Sequence, residues 1–307
     1  MEPARYPHLF AFLDRLAALA PMQRRTFDSR ASELEPVFWD DAEFFFKRLS
    51  DLLAGTGMTL DQAVQSYVGI CKDAVQEQFK FIRTGRYSAA TFDDAQSRTA
   101  DHESMTRYML GLAVTQYFWR QHYETFTFFR TFLSTLPSGG HHLEIGPGHG
   151  LYLLEALQRA PTRSFEAVDI SQASIDIARN LVSFLSAPGK DVLFHVQDIF
   201  KWAPTKPCDV IVMGEVLEHV EDPESLLRRA ASFLAPDGRL FITTCANCPA
   251  IDHIYLFTSA DDIRALISRA NCRIEQEHVA ERDVGMCRRD GSPIMTTQYA
   301  AVLRLAR

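Results

Sequence analysis

A glycine-rich segment preceded by an acidic residue is the clearest candidate for chemistry in this 307-residue chain. It runs Glu144-Ile-Gly146-Pro-Gly148-His-Gly150 and lies between an apolar run, HHLEI, and the helical pattern LYLLEALQRA. Glycines allow a sharp turn and a close approach of the backbone to a ligand, because no Cβ intervenes. A dinucleotide-binding loop would need a third glycine at position 151, where this chain has Leu151. The spacing therefore disfavours an NAD-dependent oxidoreductase.

Strands and helices alternate through residues 137–307. The strand patterns are HHLEI, SFEAVDI, DVLFHV, CDVIVM and RLFITTC, and helical patterns of about ten residues separate most of them. This alternation predicts an α/β domain with a mostly parallel, Rossmann-like sheet. The last two strand patterns, RIEQEHVA and TTQYAAVLRLA, follow each other without a helix, which predicts an antiparallel hairpin at one edge.

The chain before the turn at Leu136-Pro137 has helical periodicity and no strand pattern. The segment FWDDAEFFFKRLSDLLAG has apolar residues at spacings of three and four. A second helix has Thr59 or Asp61 as its candidate cap and ends at Gly85. A third, longer helical segment covers about residues 100–136. We therefore predict an all-helical domain over residues 1–136.

Acidic residues also follow the next two strands of the predicted sheet. Asp169-Ile170 closes the second strand and Asp198-Ile199 follows the third. The carboxyl ends of parallel strands meet at one edge, where ligands bind. The pattern acidic-x-Gly-x-Gly-x-Gly, together with these acids, resembles motif I of class I S-adenosylmethionine-dependent methyltransferases.

The resemblance implies a role for each of these residues. Glu144 would bind the ammonium of the methyl donor directly or through water, and the loop N–H groups would bind its carboxylate. Asp169 would accept hydrogen bonds from the ribose hydroxyls. Asp198 would accept from the adenine amino group, with Ile199 beside the ring. The implied donor-binding set is Glu144, Gly146, Gly148, Gly150, Asp169, Ile170, Asp198, Ile199 and Glu215.

Two further segments extend the resemblance over about residues 138–305. MGEVLEHVEDP lies where these enzymes carry motif IV, and LAPDGRLFITT matches their next helix-turn-strand element. The helical half matches no family. In this clan, the sequence before the glycine loop commonly supplies a substrate lid or dimer contacts.

The segment EVLEH carries three candidate metal ligands. Glu215, Glu218 and His219 share one face if the segment is helical, and His253 follows the next strand. Similar E-x-x-E-H residues occur in small-RNA 2′-O-methyltransferases and in ubiquinone-pathway O-methyltransferases. This resemblance implies a divalent metal that lowers the pKa of the acceptor hydroxyl. EVLEHV also occurs in members without a metal, where Glu215 borders the cofactor and His219 acts as a base or packs.

An aromatic stripe near residue 120 has two interpretations. Helical spacing alone favours burial in a core, but Tyr117, Trp119 and Tyr123 are also candidates to line a pocket for a flat or apolar acceptor. Arg288-Arg289 is either a solvated turn or a contact for an anionic substrate. Cys245 and Cys248 form a lone C-x-x-C pair, which is too little for a zinc knuckle.

Composition excludes several classes of protein. A net charge of -7 and a pI of about 5.8 argue against a globally basic, nucleic-acid-binding surface and leave a local basic patch open. No apolar run reaches eighteen residues, so we expect no membrane span. Six scattered cysteines without a secretory signal indicate reduced thiols and a cytoplasmic location.

These observations predict an S-adenosylmethionine-dependent methyltransferase that acts on a small-molecule hydroxyl. His219 and Glu215 are the expected catalytic residues, and a divalent ion held by Glu215, Glu218, His219 and His253 is the metal hypothesis. N-methylation and a non-catalytic, methyltransferase-like binding module remain alternatives. The expected partner is a small-molecule acceptor, with no nucleic acid and no membrane, and homodimerisation stays open.

Overall fold

The fold consists of helices in the first half of the chain and an α/β sheet in the second. The computed structural model describes residues 3–98, 101–162, 164–185, 191–287 and 291–306. The α-helices are α1 Pro7–Leu19, α2 Pro21–Asp28, α3 Pro36–Thr56, α4 Leu60–Thr84, α5 Phe92–Ser97, α6 His102–Phe118, α7 Arg120–Ser134, α8 Leu151–Arg159, α9 Gln172–Leu185, α10 Pro223–Ala231 and α11 Ala260–Arg269. The strands are β1 His141–Ile145, β2 Ser164–Asp169, β3 Val192–Val196, β4 Cys208–Gly214, β5 Leu234–Ala246, β6 Cys272–Cys287 and β7 Pro293–Leu305.

The seven strands form one sheet in the order β3-β2-β1-β4-β5-β7-β6. The pairs from β3 to β5 are parallel, and β7 is antiparallel to both β5 and β6. This arrangement confirms the predicted Rossmann-like α/β fold with an antiparallel edge. The order reverses at β1, so the carboxyl ends of β1 and β4 border the crevice in which such sheets bind ligands.

The sheet is covered on both faces, because its central strands are apolar at successive positions. In β4, Val210 and Val212 belong to one core and Ile211 and Met213 to the other. The second core contains residues of α10 and α11. The first core contains residues of α8 and α9 and extends without interruption into the helical half.

Helix α7 joins the helical half to the sheet. Phe129 lies 4.9 Å from Phe241 of β5 and 4.8 Å from Tyr152 of α8, measured between ring centroids. Arg130 of α7, itself nearly buried, forms a salt bridge with the buried Glu155 of α8 at 3.0 Å. These contacts cross the boundary that we predict at residue 136, and the division into two domains stays a prediction.

Local signals explain most helix ends. Thr59 caps α4 and forms a reciprocal capping box with Gln62, and Gly85 ends this helix with a φ of 69°. The helical segment predicted over about residues 100–136 consists of two helices, α6 and α7. The chain turns at Trp119, which has an extended conformation, and Arg30 donates to the carbonyl of Phe118 at 2.8 Å. This long-range bond satisfies a carbonyl that the break would leave without its helical partner.

The described helices include none with the length and apolar character that crossing a bilayer requires.

Candidate active site

The glycine loop forms the turn from β1 into α8. Gly146 and Gly150 have positive φ values of 68° and 77°, which residues with a side chain rarely adopt. A Cβ on Gly150 would lie 3.1 Å from the Cα of Ala178 in α9. A Cβ on Gly146 would lie 2.8 Å from the side chain of Val216. Glycine at these positions therefore serves both the turn and the close packing of the loop.

The three acids predicted at strand ends have different electrostatic environments. Glu144 is buried, and its loss of water raises its pKa well above the usual value. Asp169 accepts a hydrogen bond from the amide of Ser171 at 2.8 Å, but burial raises its pKa to about 6. Asp198 accepts from the amide of Phe200 at 3.0 Å, and this bond lowers its pKa. Of the three acids, only Asp198 has its carboxylate form favoured by the protein itself.

A cavity of about 1250 Å³ opens at this edge of the sheet. Every residue of the predicted donor-binding set except Gly150 lines it. Ile170 and Phe200 also line it and are about half exposed. Sequence reasoning missed Phe200, although it directly follows the predicted Asp198-Ile199 pair.

The EVLEH segment differs from the helical turn that we expected. Glu215 has a φ of 53°, and the helical residues are limited to a 3-10 turn, Leu217–His219. The amide of Glu215 donates to the hydroxyl of Thr243 in β5 at 2.9 Å. The side-chain amide of Gln298 in β7 donates to the Glu215 carboxylate at 2.6 Å. Contacts to two strands, and not a helical face, therefore orient Glu215.

Glu218 is fully buried and is not among the residues that line the cavity. One carboxylate oxygen accepts from the hydroxyl of Thr244 at 2.7 Å. The other, Oε1, has no hydrogen-bond partner among the described residues. Burial, and then the neighbouring Glu215, raises the pKa of Glu218 well above its usual value. An unpaired, buried carboxylate oxygen is costly and marks this position for a proton or a cation.

Two histidines meet beside Glu218. The ring centroids of His219 and His253 are 4.9 Å apart and their planes are perpendicular. His219 Nδ1 lies 3.0 Å from the carbonyl oxygen of Asp252, and His253 Nδ1 lies 2.6 Å from that of Cys248. Burial lowers the pKa of His253 to about 4. His253 is therefore neutral at physiological pH.

The four residues of the metal hypothesis do not form one ligand set. The ligand atoms of Glu218, His219 and His253 lie within 4.8 Å of one another. Glu215 belongs to a second group with Glu218 and Cys245. The left-handed backbone of Glu215 separates it from the histidines, since it removes the helical spacing on which the prediction depended.

Of the three aromatic residues that are candidates to contact the substrate, one lines the cavity and two do not. Trp119 lines the cavity. Tyr117 is buried in the core, where its hydroxyl accepts from Arg130 at 3.0 Å. The hydroxyl of Tyr123 donates to Asp41 at 3.2 Å, and neither tyrosine is among the lining residues. This placement corrects the pocket hypothesis for both tyrosines, because their hydroxyls bond to Arg130 and Asp41 and do not reach the cavity.

Other residues of the helical half line the cavity and were missed by sequence reasoning. They are apolar and polar residues of α4 and α6, among them Ile70, Asp73, Met105, Tyr108 and Met109. The hydroxyl of Tyr108 donates to the carboxylate of Asp252 at 2.9 Å. Helical periodicity does not distinguish a pocket wall from a core. Arg288 and Arg289, the candidate anion contacts, lie outside the described residues.

Comparison with known proteins gives a family match and several relatives. Residues 118–277, more than half of the chain, match the family described as methyltransferase domain. The chain is 36% identical over 115 residues to the ubiquinone biosynthesis O-methyltransferase of Xanthomonas euvesicatoria pv. vesicatoria (strain 85-10), covering 37% of this chain and 46% of the relative. It is 24% identical over 161 residues to the enzyme of that name from Neisseria meningitidis serogroup A / serotype 4A (strain DSM 15465 / Z2491), covering 52% and 66%. The chain thus spans less than two thirds of these relatives.

A solved structure has a similar fold. The mitomycin 7-O-methyltransferase MmcR superposes with a TM-score of 0.52 at 16% identity. The match covers 80% of this chain and 70% of that one. It therefore includes part of the helical half as well as the sheet.

Asp169 should make donor binding depend on pH. Its pKa of about 6 means that lowering the pH through 6 protonates a carboxylate that would accept the ribose hydroxyls. We expect the Kd of S-adenosylhomocysteine, measured by calorimetry between about pH 5 and 8, to rise as the pH falls through 6. Asp169→Asn should flatten this dependence and weaken binding about 10- to 100-fold at neutral pH.

Asp198→Asn is the matched control for this experiment. The pKa of Asp198 is already below its usual value, so its replacement should leave the pH dependence in place. A Kd that is constant across the range, or an Asp169→Asn variant that keeps the full slope, would contradict the assignment.

Gly150→Ala tests the loop geometry. We expect a loss of about 1–2 kcal/mol in the free energy of unfolding, from the left-handed backbone, and a weakening of S-adenosylhomocysteine binding of about tenfold or more, because α8 must move from α9. Gly57→Ala is the control, since Gly57 has a φ of 72° and nothing within 4 Å of an added Cβ. Gly57→Ala should lose similar stability in urea denaturation and bind normally. Equal effects on binding would refute the role of the loop.

Proposed function

This chain belongs to the methyltransferase domain family, and on that premise we propose that it transfers a methyl group from S-adenosylmethionine to a hydroxyl group of a small molecule. The observation that carries the proposal is that the predicted donor-binding residues, except Gly150, and His219 line the same cavity. Its volume of about 1250 Å³ exceeds the roughly 300–1,000 Å³ of a pocket for one small ligand. The cavity therefore has room for a donor and an acceptor together.

The residues at the sheet edge suit the methyl donor. When bound, S-adenosylmethionine supplies a methyl group on an electrophilic sulfonium and carries an ammonium on its amino-acid end. The buried carboxyl group of Glu144 lies at the end of β1. A neighbouring ammonium would stabilise its ionised form there. Asp169 and Asp198 provide carboxylate acceptors at the ends of the next two strands. The loop needs no phosphate-binding role, consistent with Leu151 in place of a third dinucleotide-type glycine.

His219 is the proposed base for the acceptor hydroxyl. A backbone carbonyl only accepts hydrogen bonds, so the contact of Nδ1 with the Asp252 oxygen at 3.0 Å favours a proton on Nδ1. Nε2 then carries the free lone pair that can receive the hydroxyl proton. Asp252 is itself held by Tyr108 of α6. The helical half thereby helps to orient the base.

Alignment and exclusion of water would complete the reaction. Methyl transfer requires the acceptor oxygen to lie behind the methyl group, opposite the sulfur. The wall formed by α4 and α6 contributes apolar residues to the cavity, including Ile70, Met105, Met109 and Leu112. These residues would hold an apolar acceptor and exclude water, which would otherwise compete for the base.

A methyl-transfer assay tests the proposal. We expect incubation with isotopically labelled S-adenosylmethionine and a panel of phenols and alcohols to yield labelled methyl ethers, detected by mass spectrometry. His219→Ala should lower kcat about 10²- to 10⁴-fold and leave the S-adenosylhomocysteine Kd within about twofold. His102→Ala is the control, because His102 is exposed and absent from the cavity wall. Donor binding without transfer to any acceptor would instead support a non-catalytic binding module.

Metal assistance is the second candidate mechanism, and the free Oε1 of Glu218 is the observation that favours it. The grouping of Glu218 with His219 and His253 suits a divalent ion, and two imidazoles favour Mn, Fe, Co or Zn over Mg. Such an ion, when bound, would lower the pKa of an acceptor hydroxyl. Glu218 and His253 would then hold the ion, and His219 would be a ligand and no longer the base.

Metal content separates the two mechanisms. If the site holds an ion, protein equilibrated with Mn²⁺ or Zn²⁺ and then desalted should retain a stoichiometric amount by elemental analysis. Glu218→Gln should lose it, and EDTA should abolish methyl transfer until the ion is restored. Glu221→Gln, in the exposed segment after the 3-10 turn, is the matched control and should retain the ion. A metal-free enzyme with full activity would remove this mechanism and leave His219 as the base.

A further inference from the structure

The cavity wall is rich in carboxylates and poor in cations. Its described lining residues include no lysine or arginine. Nine of them are acidic: Asp73, Asp93, Glu144, Asp169, Asp198, Glu215, Glu221, Asp222 and Asp252. A concave surface lined by one sign of charge concentrates ligands of the opposite sign.

Most of these acids already have a role or a partner. Glu144, Asp169 and Asp198 lie at the donor end, and Gln298 holds Glu215. Glu221 accepts a hydrogen bond from the amide of Phe92 at 2.8 Å, Asp222 caps α10, and Asp252 accepts one from Tyr108. Asp93 is exposed. Asp73 is the ninth acid.

Asp73 is different, because it is half-buried in the wall of the cavity and makes no hydrogen bond or salt bridge with any residue that the structure describes. Its neighbour on α4, Glu77, is paired with Lys80 at 2.6 Å and with the hydroxyl of Ser88. Burial, and then the charge of Glu77, raises the pKa of Asp73, while the charges of Lys80 and Lys72 lower it in part. A carboxylate in this setting is stabilised by a cationic hydrogen-bond donor.

A tight helix crossing fixes the position of Asp73. A Cβ on Gly111 of α6 would lie 2.6 Å from the carbonyl oxygen of Ser66 and from the side chain of Ile70 in α4. The two helices therefore touch at this point. Asp73 is one turn beyond Ile70, and Tyr108 is one turn before Gly111, and both line the cavity. Asp73 thus belongs to the helical wall, whereas the donor-end acids belong to the sheet.

We propose that the acceptor carries a positively charged amine in addition to the hydroxyl that is methylated, and that Asp73 binds this amine. The inference rests on the proposed function. The apolar residues beside Asp73, Ile70, Ala74, Met105 and Met109, suit a hydrocarbon or aromatic body between the two groups. A carboxylate or phosphate on the acceptor would meet the acids of the described wall, none of whose residues is a lysine or arginine, and this repulsion disfavours anionic acceptors.

Three catechols of similar size test the proposal. Dopamine carries an ammonium, 4-ethylcatechol is neutral and 3,4-dihydroxyphenylacetate carries a carboxylate at neutral pH. We expect calorimetry on the full chain saturated with S-adenosylhomocysteine to give binding about tenfold tighter for dopamine than for 4-ethylcatechol, as for one charge-assisted hydrogen bond. The carboxylate should bind most weakly.

The variants assign this preference to one residue. Asp73→Asn should weaken dopamine binding about fivefold or more and change 4-ethylcatechol binding by less than about twofold. Asp93→Asn, which removes an exposed acid from the same cavity, is the matched control and should change neither. Unaltered S-adenosylhomocysteine affinity shows that each variant is folded. If Asp73→Asn does not fold, the order of affinity of the three ligands for the wild-type protein still tests whether the site prefers an amine.

Equal binding of dopamine and 4-ethylcatechol, tighter binding of the carboxylate, or a dopamine preference that survives in Asp73→Asn would each overturn the proposal. Failure of all three catechols to bind would overturn it as well. These measurements need no turnover. An absence of methyl transfer in the separate assay therefore counts against the proposed function. The order of ligand affinities tests the proposal that the acceptor carries an amine.

Discussion

The constraint on which this site depends is a set of carboxyl groups that are withdrawn from water and have no lysine or arginine beside them in the described cavity wall. Burial raises the pKa values of Glu144, Asp169 and Glu218, and the described cavity wall supplies no lysine or arginine to offset them. Isolated buried charges are costly. The fold can hold these groups because they lie on or next to rigid strands. A ligand with positive charge relieves the cost, as the ammonium and sulfonium of a methyl donor would.

The second requirement is a shared core. Helix α7 packs on the sheet through Phe129 and Phe241, and Arg130 of α7 bridges to Glu155 of α8. Such close-packed contacts fix the position of the helices relative to the sheet, because cores have little free volume. The helical wall of the cavity is therefore held against the sheet edge. In this structure residues of the helical half form part of the cavity wall. Tyr108 donates to the carboxylate of Asp252, and the carbonyl oxygen of Asp252 contacts His219.

Patterns that depend on near neighbours in the chain were sufficient to predict much of this molecule. The alternation of strands and helices indicated the sheet, since each βαβ unit is specified locally. The spacing of Gly146, Gly148 and Gly150 distinguished the loop from a dinucleotide-binding one. Thr59 and Gly85 marked the ends of α4, because caps act within one turn. The acids at strand ends reached one cavity, because parallel strands bring their carboxyl ends together.

The prediction of one helical face for Glu215, Glu218 and His219 was wrong, because a distant residue bonds to the backbone there. Glu215 leaves the expected helical face because its amide bonds to Thr243, 28 residues away in the chain, and so the four proposed metal ligands divide into two groups. The break at Trp119 leaves a carbonyl that Arg30 satisfies. It separates Trp119, in the cavity, from Tyr117, in the core, although both belong to one aromatic stripe.

By itself, then, the sequence determined the fold class, the glycine loop and the family to which the chain belongs, since these depend on short-range spacing. Only the tertiary structure decided which residues of α4 and α6 form the cavity, that Glu218 is buried with one oxygen unpaired, and that Asp73 has no partner among the described residues. These features depend on contacts between segments that are far apart in the chain. The spacing of residues along the chain does not reveal such contacts, because they depend on how helices and strands pack together.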